Sequence, residues 1–120
     1  MQDYRKLRVW RRAHEFVLCA YRATAAFPKE EQYGLMTQVR RAAVSIPANI
    51  AEGCGRGSDA DFARFLQMAI GSTNEIEYHL RLASDLEFIP KPEHQGLEKQ
   101  LIEIRKMLSS LMQSLRTEHS

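Results

Sequence analysis

The sequence predicts an all-α fold, an antiparallel up-down four-helix bundle with its second helix kinked at Pro47. Three observations predict it. Apolar residues recur at alternating steps of three and four in four separate segments, the period of one helix face. Turn chemistry stands between those segments: Pro28, then Gly53, Gly55 and Gly57, then Pro90 and Pro92. Only 6 Gly and 4 Pro occur in 120 residues, too few for an all-β chain of tight turns.

The first segment places Trp10, Ala13, Val17, Ala20, Thr24 and Phe27 on one face, so a helix is expected from about Leu7 to Ala26. Pro28 ends it. Met36, Val39, Ala43, Ile46 and Ile50 make the second, from about Gly34 to Glu52, terminated by the glycine cluster. Pro47 lies inside it and has no N–H for the Ala43 carbonyl, at a cost of about 3 kcal/mol. The apolar period runs through the proline, so a kinked helix is expected rather than two. Ser58 with Asp61 three residues on resembles a capping box opening the third helix. Phe62, Phe65, Leu66, Ala69, Ile70, Thr73, Ile76, Leu80 and Ala83 carry that helix from about Asp59 to Leu86. Leu97, Leu101, Ile104, Leu108, Leu111 and Leu115 give the last helix, about Glu93 to Arg116, a heptad seam. Such spacing favours packing near about 20°, and short connections favour antiparallel neighbours.

Composition bounds the class. Residues 1–120 make one domain, with 44% hydrophobic and 27% charged residues, so disorder is not expected. No apolar run is long enough for a membrane span or a signal peptide, and a cytoplasmic protein is expected. Cys19 and Cys54 are too few for a disulfide framework and read as small buried hydrophobes or inert thiols. The net charge of +2 is uneven: residues 1–60 hold ten basic groups against six acids, residues 61–120 seven against nine. The positive end suits an anionic partner, or the other half of a neighbouring copy.

Catalytic chemistry is not indicated. His14, His79, His94 and His119 are scattered, and no Glu precedes a histidine by three, so no di-iron pattern forms. Glu75 and His79 stand at i, i+4, which reads as a surface pair rather than a metal site. Neither Ser45 nor Ser72 lies in a nucleophile elbow, and no cofactor is expected. The Gly53–Gly57 run before a helix lacks the P-loop lysine, and Asp59 and Asp61 would repel a phosphate there.

Two surfaces stand out. Arg5, Lys6, Arg8, Arg11 and Arg12 crowd around Trp10. On a helix Arg8 and Arg12 lie about 160° from Trp10, so the ring is expected to face inward and the cations outward. Arg40 and Arg41 extend this ridge if the second helix lies alongside. Two readings are open, a solvated helix face or a surface for nucleic-acid backbone. The second surface is polar: Arg41, Ser45, Asn49 and Glu52 on helix two, with Asn74 and Glu75 on helix three. It is either ordinary solvent-facing chemistry or a hydrogen-bonded contact between helices or subunits. Phe16, Leu18, Tyr21, Ile102, Met107 and Met112 lie off the main seams, an apolar surplus of the kind that self-association buries.

The run from Phe27 to Leu35, the segment Gln38-Val39-Arg40-Arg41-Ala42-Ala43-Val44-Ser45-Ile46-Pro47-Ala48-Asn49-Ile50-Ala51-Glu52-Gly53, and the pattern Phe62…Phe65-Leu66…Ala69…Gly71-Ser72…Glu75…Glu77 carry a family resemblance. The opening Leu7-Arg8-Val9-Trp10…Ala13 fits it too. The chain resembles the bacterial four-helix-bundle family of 23S rRNA intervening-sequence proteins from about Tyr4 to Pro90. Where that family carries a Gly-aromatic pair after helix three, this chain has Glu87-Phe88. The resemblance implies an up-down bundle assembling as a homopentamer. It also implies kinship with the accessory variability protein of diversity-generating retroelements, a basic barrel that contacts reverse transcriptase and nucleic acid. The expectation is therefore a non-enzymatic homo-oligomer that binds RNA or DNA backbone through its basic ridge. The alternative is a protein-interaction scaffold that binds none.

Overall fold

The computed structural model describes residues 3–117. Among them stand four α-helices and no strand: α1 (Arg8–Thr24), α2 (Leu35–Cys54), α3 (Asp59–Asp85) and α4 (Lys91–Thr117). Short 3-10 turns at Tyr4–Lys6 and Lys29–Glu31 precede α1 and α2. Each helix packs on its two neighbours around a square, α1 against α2 and α4, α3 against α2 and α4, and the diagonal pairs do not approach closely. Gly53, late in α2, meets Phe62 and Phe65, early in α3, while Ser45 meets Ser72 further along. Those two helices therefore run in opposite directions. The result is an elongated body of 48 × 23 × 20 Å.

The helix ends follow from local chemistry. Glu31 Oε1 accepts from the Leu35 N–H at 3.0 Å, capping α2 across Gly34. Ser58 caps α3, its Oγ accepting from the Asp61 N–H at 3.1 Å, and Asp61 then faces Arg64 at 3.6 Å. The glycine run does not stop α2 by left-handed geometry: Gly55 is at φ −85 and no glycine has positive φ. Gly53 is there for packing. A Cβ on it would stand 2.8 Å from Phe62 Cδ1 and 2.9 Å from the Phe65 Cβ. The left-handed position falls instead at Glu87, φ 64. There Phe88 N–H donates to the Ala83 carbonyl and Glu87 N–H to Ser84, the paired bonds of a Schellman turn.

α2 stays helical through the buried Pro47. The polar side chains beside it bond carbonyls of the preceding turn and a half, Ser45 Oγ donating to Ala42 at 2.7 Å and Asn49 Nδ2 to Ser45 at 2.8 Å.

The core keeps the predicted seams with two adjustments. Phe16 and Met112, expected off-seam, are buried, whereas Leu18, Tyr21 and Ile102 are exposed. In α4 the inward position passes from Leu108 to Met112, leaving Leu111 half-buried. A helix at 3.6 residues per turn drifts about 20° per heptad, enough to move the inward residue by one over such a length. Trp10, expected inward, is half-buried and lies between Tyr4 (ring centroids 4.9 Å) and His14 (5.1 Å, planes 5° apart).

Candidate nucleic-acid interface

The basic residues of the first 3-10 turn and of the start of α1 follow closely on one another, and their neighbours decide how much charge each presents. Arg5 is held by Asp3 through two bonds, Nε to Oδ1 at 3.0 Å and Nη2 to Oδ2 at 3.2 Å. The Arg5 guanidinium holds the Asp3 carboxyl below its ordinary value, and Asp3 in turn raises that of Arg5. Arg12 faces Glu103 of α4 at 3.5 Å. Arg11 donates Nη1 to the Arg5 carbonyl at 3.1 Å and forms no ion pair among the described residues. Lys6 and Arg8 are exposed and form no ion pair among the described residues.

The start of α1 adds to this positive potential. Its N-cap, Leu7, offers no side-chain acceptor, and its first turn contains no acid. The partial positive charge of a helix N-terminus therefore stands beside Arg8 and Arg11 with no internal counter-charge. α3, by contrast, begins with a serine cap, Asp59 and Asp61.

Arg40 and Arg41 separate. Arg40 is tied to α1, its Nε donating to Thr24 Oγ1 at 2.8 Å, its Nη2 to the Tyr21 carbonyl at 3.2 Å, with its guanidinium over the Tyr21 ring at 4.4 Å. It joins α1 to α2 through two of its donor nitrogens. Arg41 is exposed and makes no such bond among the described residues.

The polar stripe divides similarly. Ser45 Oγ bonds Ser72 Oγ at 2.6 Å, joining α2 to α3. Asn49 bonds within its own helix, Glu52 pairs with Arg56 at 2.8 Å, and Glu75 with His79 at 3.3 Å. Asn74 is exposed. Val44, next to Ser45, and Met68, one turn before Ser72, are exposed to 41% and 47%, large for aliphatic side chains.

Sequence reading missed both arginine–threonine links, Arg40 to Thr24 and a second one across α3 and α4. Arg105 of α4 donates Nε to the buried Thr73 of α3 at 3.2 Å and Nη2 to Glu77 at 3.0 Å. A threonine inside an apolar seam is the signal that could have found it, since a buried hydroxyl needs a partner. No group of three metal-ligating side chains occurs among the described residues, and no helix there is long and apolar enough to cross a membrane.

Residues 5–110 match the family model of the 23S rRNA-intervening sequence protein. The chain belongs to that family. A crystal structure from the S23 ribosomal protein family of Bacteroides thetaiotaomicron, a protein of unknown function, is similar over most of the chain. Its TM-score is 0.81 at 29% identity, over 88% of this chain and 95% of that one. No curated protein matches the sequence. Family membership and the four-helix architecture thus agree with the resemblance carried by the Arg40–Gly53 segment.

Proposed function

We propose that this member of the family is a non-enzymatic, self-associating bundle that binds RNA or DNA backbone through the end formed by Lys6, Arg8 and Arg11. The observation that carries the reading is the start of α1, a helix N-terminus with no acid in its first turn and cations beside it. That arrangement works against helix stability and favours an anion. Contacts of this kind act on phosphates without reading sequence. Arg5 and Arg12 contribute less than the sequence suggests, because Asp3 and Glu103 already oppose them. Arg41 remains a peripheral candidate. Self-association is supported by Val44 and Met68, and it would repeat the basic end around the assembly and multiply its charge.

The test is binding of labelled structured RNA and duplex DNA across a salt series, with the assembly's mass measured in the same samples. Affinity falling steeply with salt and lost in Arg8→Glu/Arg11→Glu is the expected result. Absence of binding at low salt by an intact assembly would overturn the reading and leave the protein-interaction scaffold.

A further inference from the structure

The N-terminal part of α1 and the C-terminal part of α4 lie side by side, and between them runs an open groove of about 360 Å³. Its floor is aliphatic: Leu7 and Val9 on one side, Met107 and Leu111 on the other, with Arg8 and Ser110 at the rim. Val9 is buried at the bottom and the other three are half-exposed. Both flanking stretches are free of acids: residues 4–12 carry five cations and no carboxylate, and residues 104–117 carry three and none. Bordering these stretches, Glu103 pairs with Arg12 and Asp3 with Arg5, and within them Arg105 is itself held by Glu77 of α3.

We propose that this groove docks an acidic amphipathic helix of a partner protein. The inference goes beyond nucleic-acid binding and does not depend on it. Charge complementarity selects an anionic occupant, and the aliphatic floor selects what that occupant inserts. Nucleobases stack on aromatic rings and need hydrogen bonds at their edges. The ring cluster of Tyr4, Trp10 and His14 is not part of this groove. Leucine-type side chains fit it without such help. From Met107 to Ser114 the groove follows about two helical turns, roughly 10 Å, the span of anchors at i, i+4 and i+7 on a docked helix. Acidic residues flanking those anchors would meet Arg8 and the neighbouring cations.

The experiment uses the intact protein and three fluorescent probes of equal length. One is a helical peptide with leucines on one face and glutamates flanking them, the second has lysines for glutamates, and the third is polyglutamate. The expected result is binding of the acidic amphipathic peptide alone, weakened at least tenfold by Arg8→Glu and by Leu111→Gln. Ser110→Glu alters an exposed rim position without touching the core, so it reads the groove even if Leu111→Gln unfolds. Equal binding of polyglutamate would mean that charge alone acts, and equal binding of the lysine peptide that apolar contact alone acts. Either overturns the proposal. So does unchanged binding in Arg8→Glu and Ser110→Glu, or no binding of the acidic peptide at all. A single-stranded oligonucleotide that binds, and is lost in Ser110→Glu while the peptide fails, would reassign the groove to nucleic acid.

Discussion

Arg40 reaches from α2 into the buried hydroxyl of Thr24 on α1, Nε to Oγ1 at 2.8 Å, while Thr24 donates to its own helix at Ala20. The same construction recurs on the opposite helix pair, where Arg105 donates to Thr73 and Thr73 to Ile70. In each case the hydroxyl hydrogen is spent within the helix, which leaves an oxygen lone pair for the neighbouring guanidinium. The two links join α1 to α2 and α3 to α4. Thr24→Val, nearly isosteric, should leave the Arg40 Nε unpaired at a cost of about 1–3 kcal/mol. Urea denaturation checks it, and Thr24→Ser should lose less because the acceptor is kept. Equal losses in both variants would show that the methyl, not the hydroxyl, matters.

Two helical glycines should respond oppositely to alanine. At Gly53 the added Cβ meets Phe62 and Phe65 within 3 Å, so Gly53→Ala should destabilise by about 1–3 kcal/mol despite better helix propensity. A Cβ on Gly71 would meet nothing within 4 Å beyond its own helix backbone, so Gly71→Ala should gain up to about 1 kcal/mol. Thermal denaturation of the pair decides it. Equal shifts would mean that α2 and α3 are not pressed together at Gly53.

Glu87 occupies a left-handed position without being glycine. Glu87→Gly should raise stability by about 1 kcal/mol, since the Schellman bonds of Phe88 and Glu87 are kept and the Cβ strain is removed. No rise in melting temperature would show that the Glu87 side chain offsets the strain.

Self-association through the α2–α3 face predicts that Val44→Glu/Met68→Glu lowers the mass seen by light scattering, with helicity unchanged. Both side chains are exposed, so the fold has little reason to suffer. An unchanged mass would place the subunit contact elsewhere.

The thiols should differ in reactivity. Burial pushes the Cys54 thiol above its ordinary value, because the folded site disfavours the thiolate. The unfolded chain then loses this proton first, so the stability linked to Cys54 is intact below the ordinary thiol range and falls as pH rises through it. Iodoacetamide near neutral pH should label the half-exposed Cys19 before Cys54. Faster modification of Cys54 would mean that the end of α2 opens readily.

The sequence by itself determined four helices, their ends to within a few residues, and the main inward faces. Those features arise from spacing, caps and breakers that act within about one helical turn. Val39, Ala43, Ile46 and Ile50 are buried as their period requires, and Ser58 caps α3 as its position predicts. Tertiary structure decided what the charged residues do. Arg12 finds Glu103 and Arg40 finds Thr24 because α1 lies between α4 and α2 at a particular register. Periodicity says which way a side chain faces but not which helix is there to meet it. For the same reason a row of five cations keeps three without an ion pair among the described residues, and the unremarkable Arg105 became a link across two helices. An ion pair or a groove is a property of two surfaces in contact, and only the folded chain brings the second one.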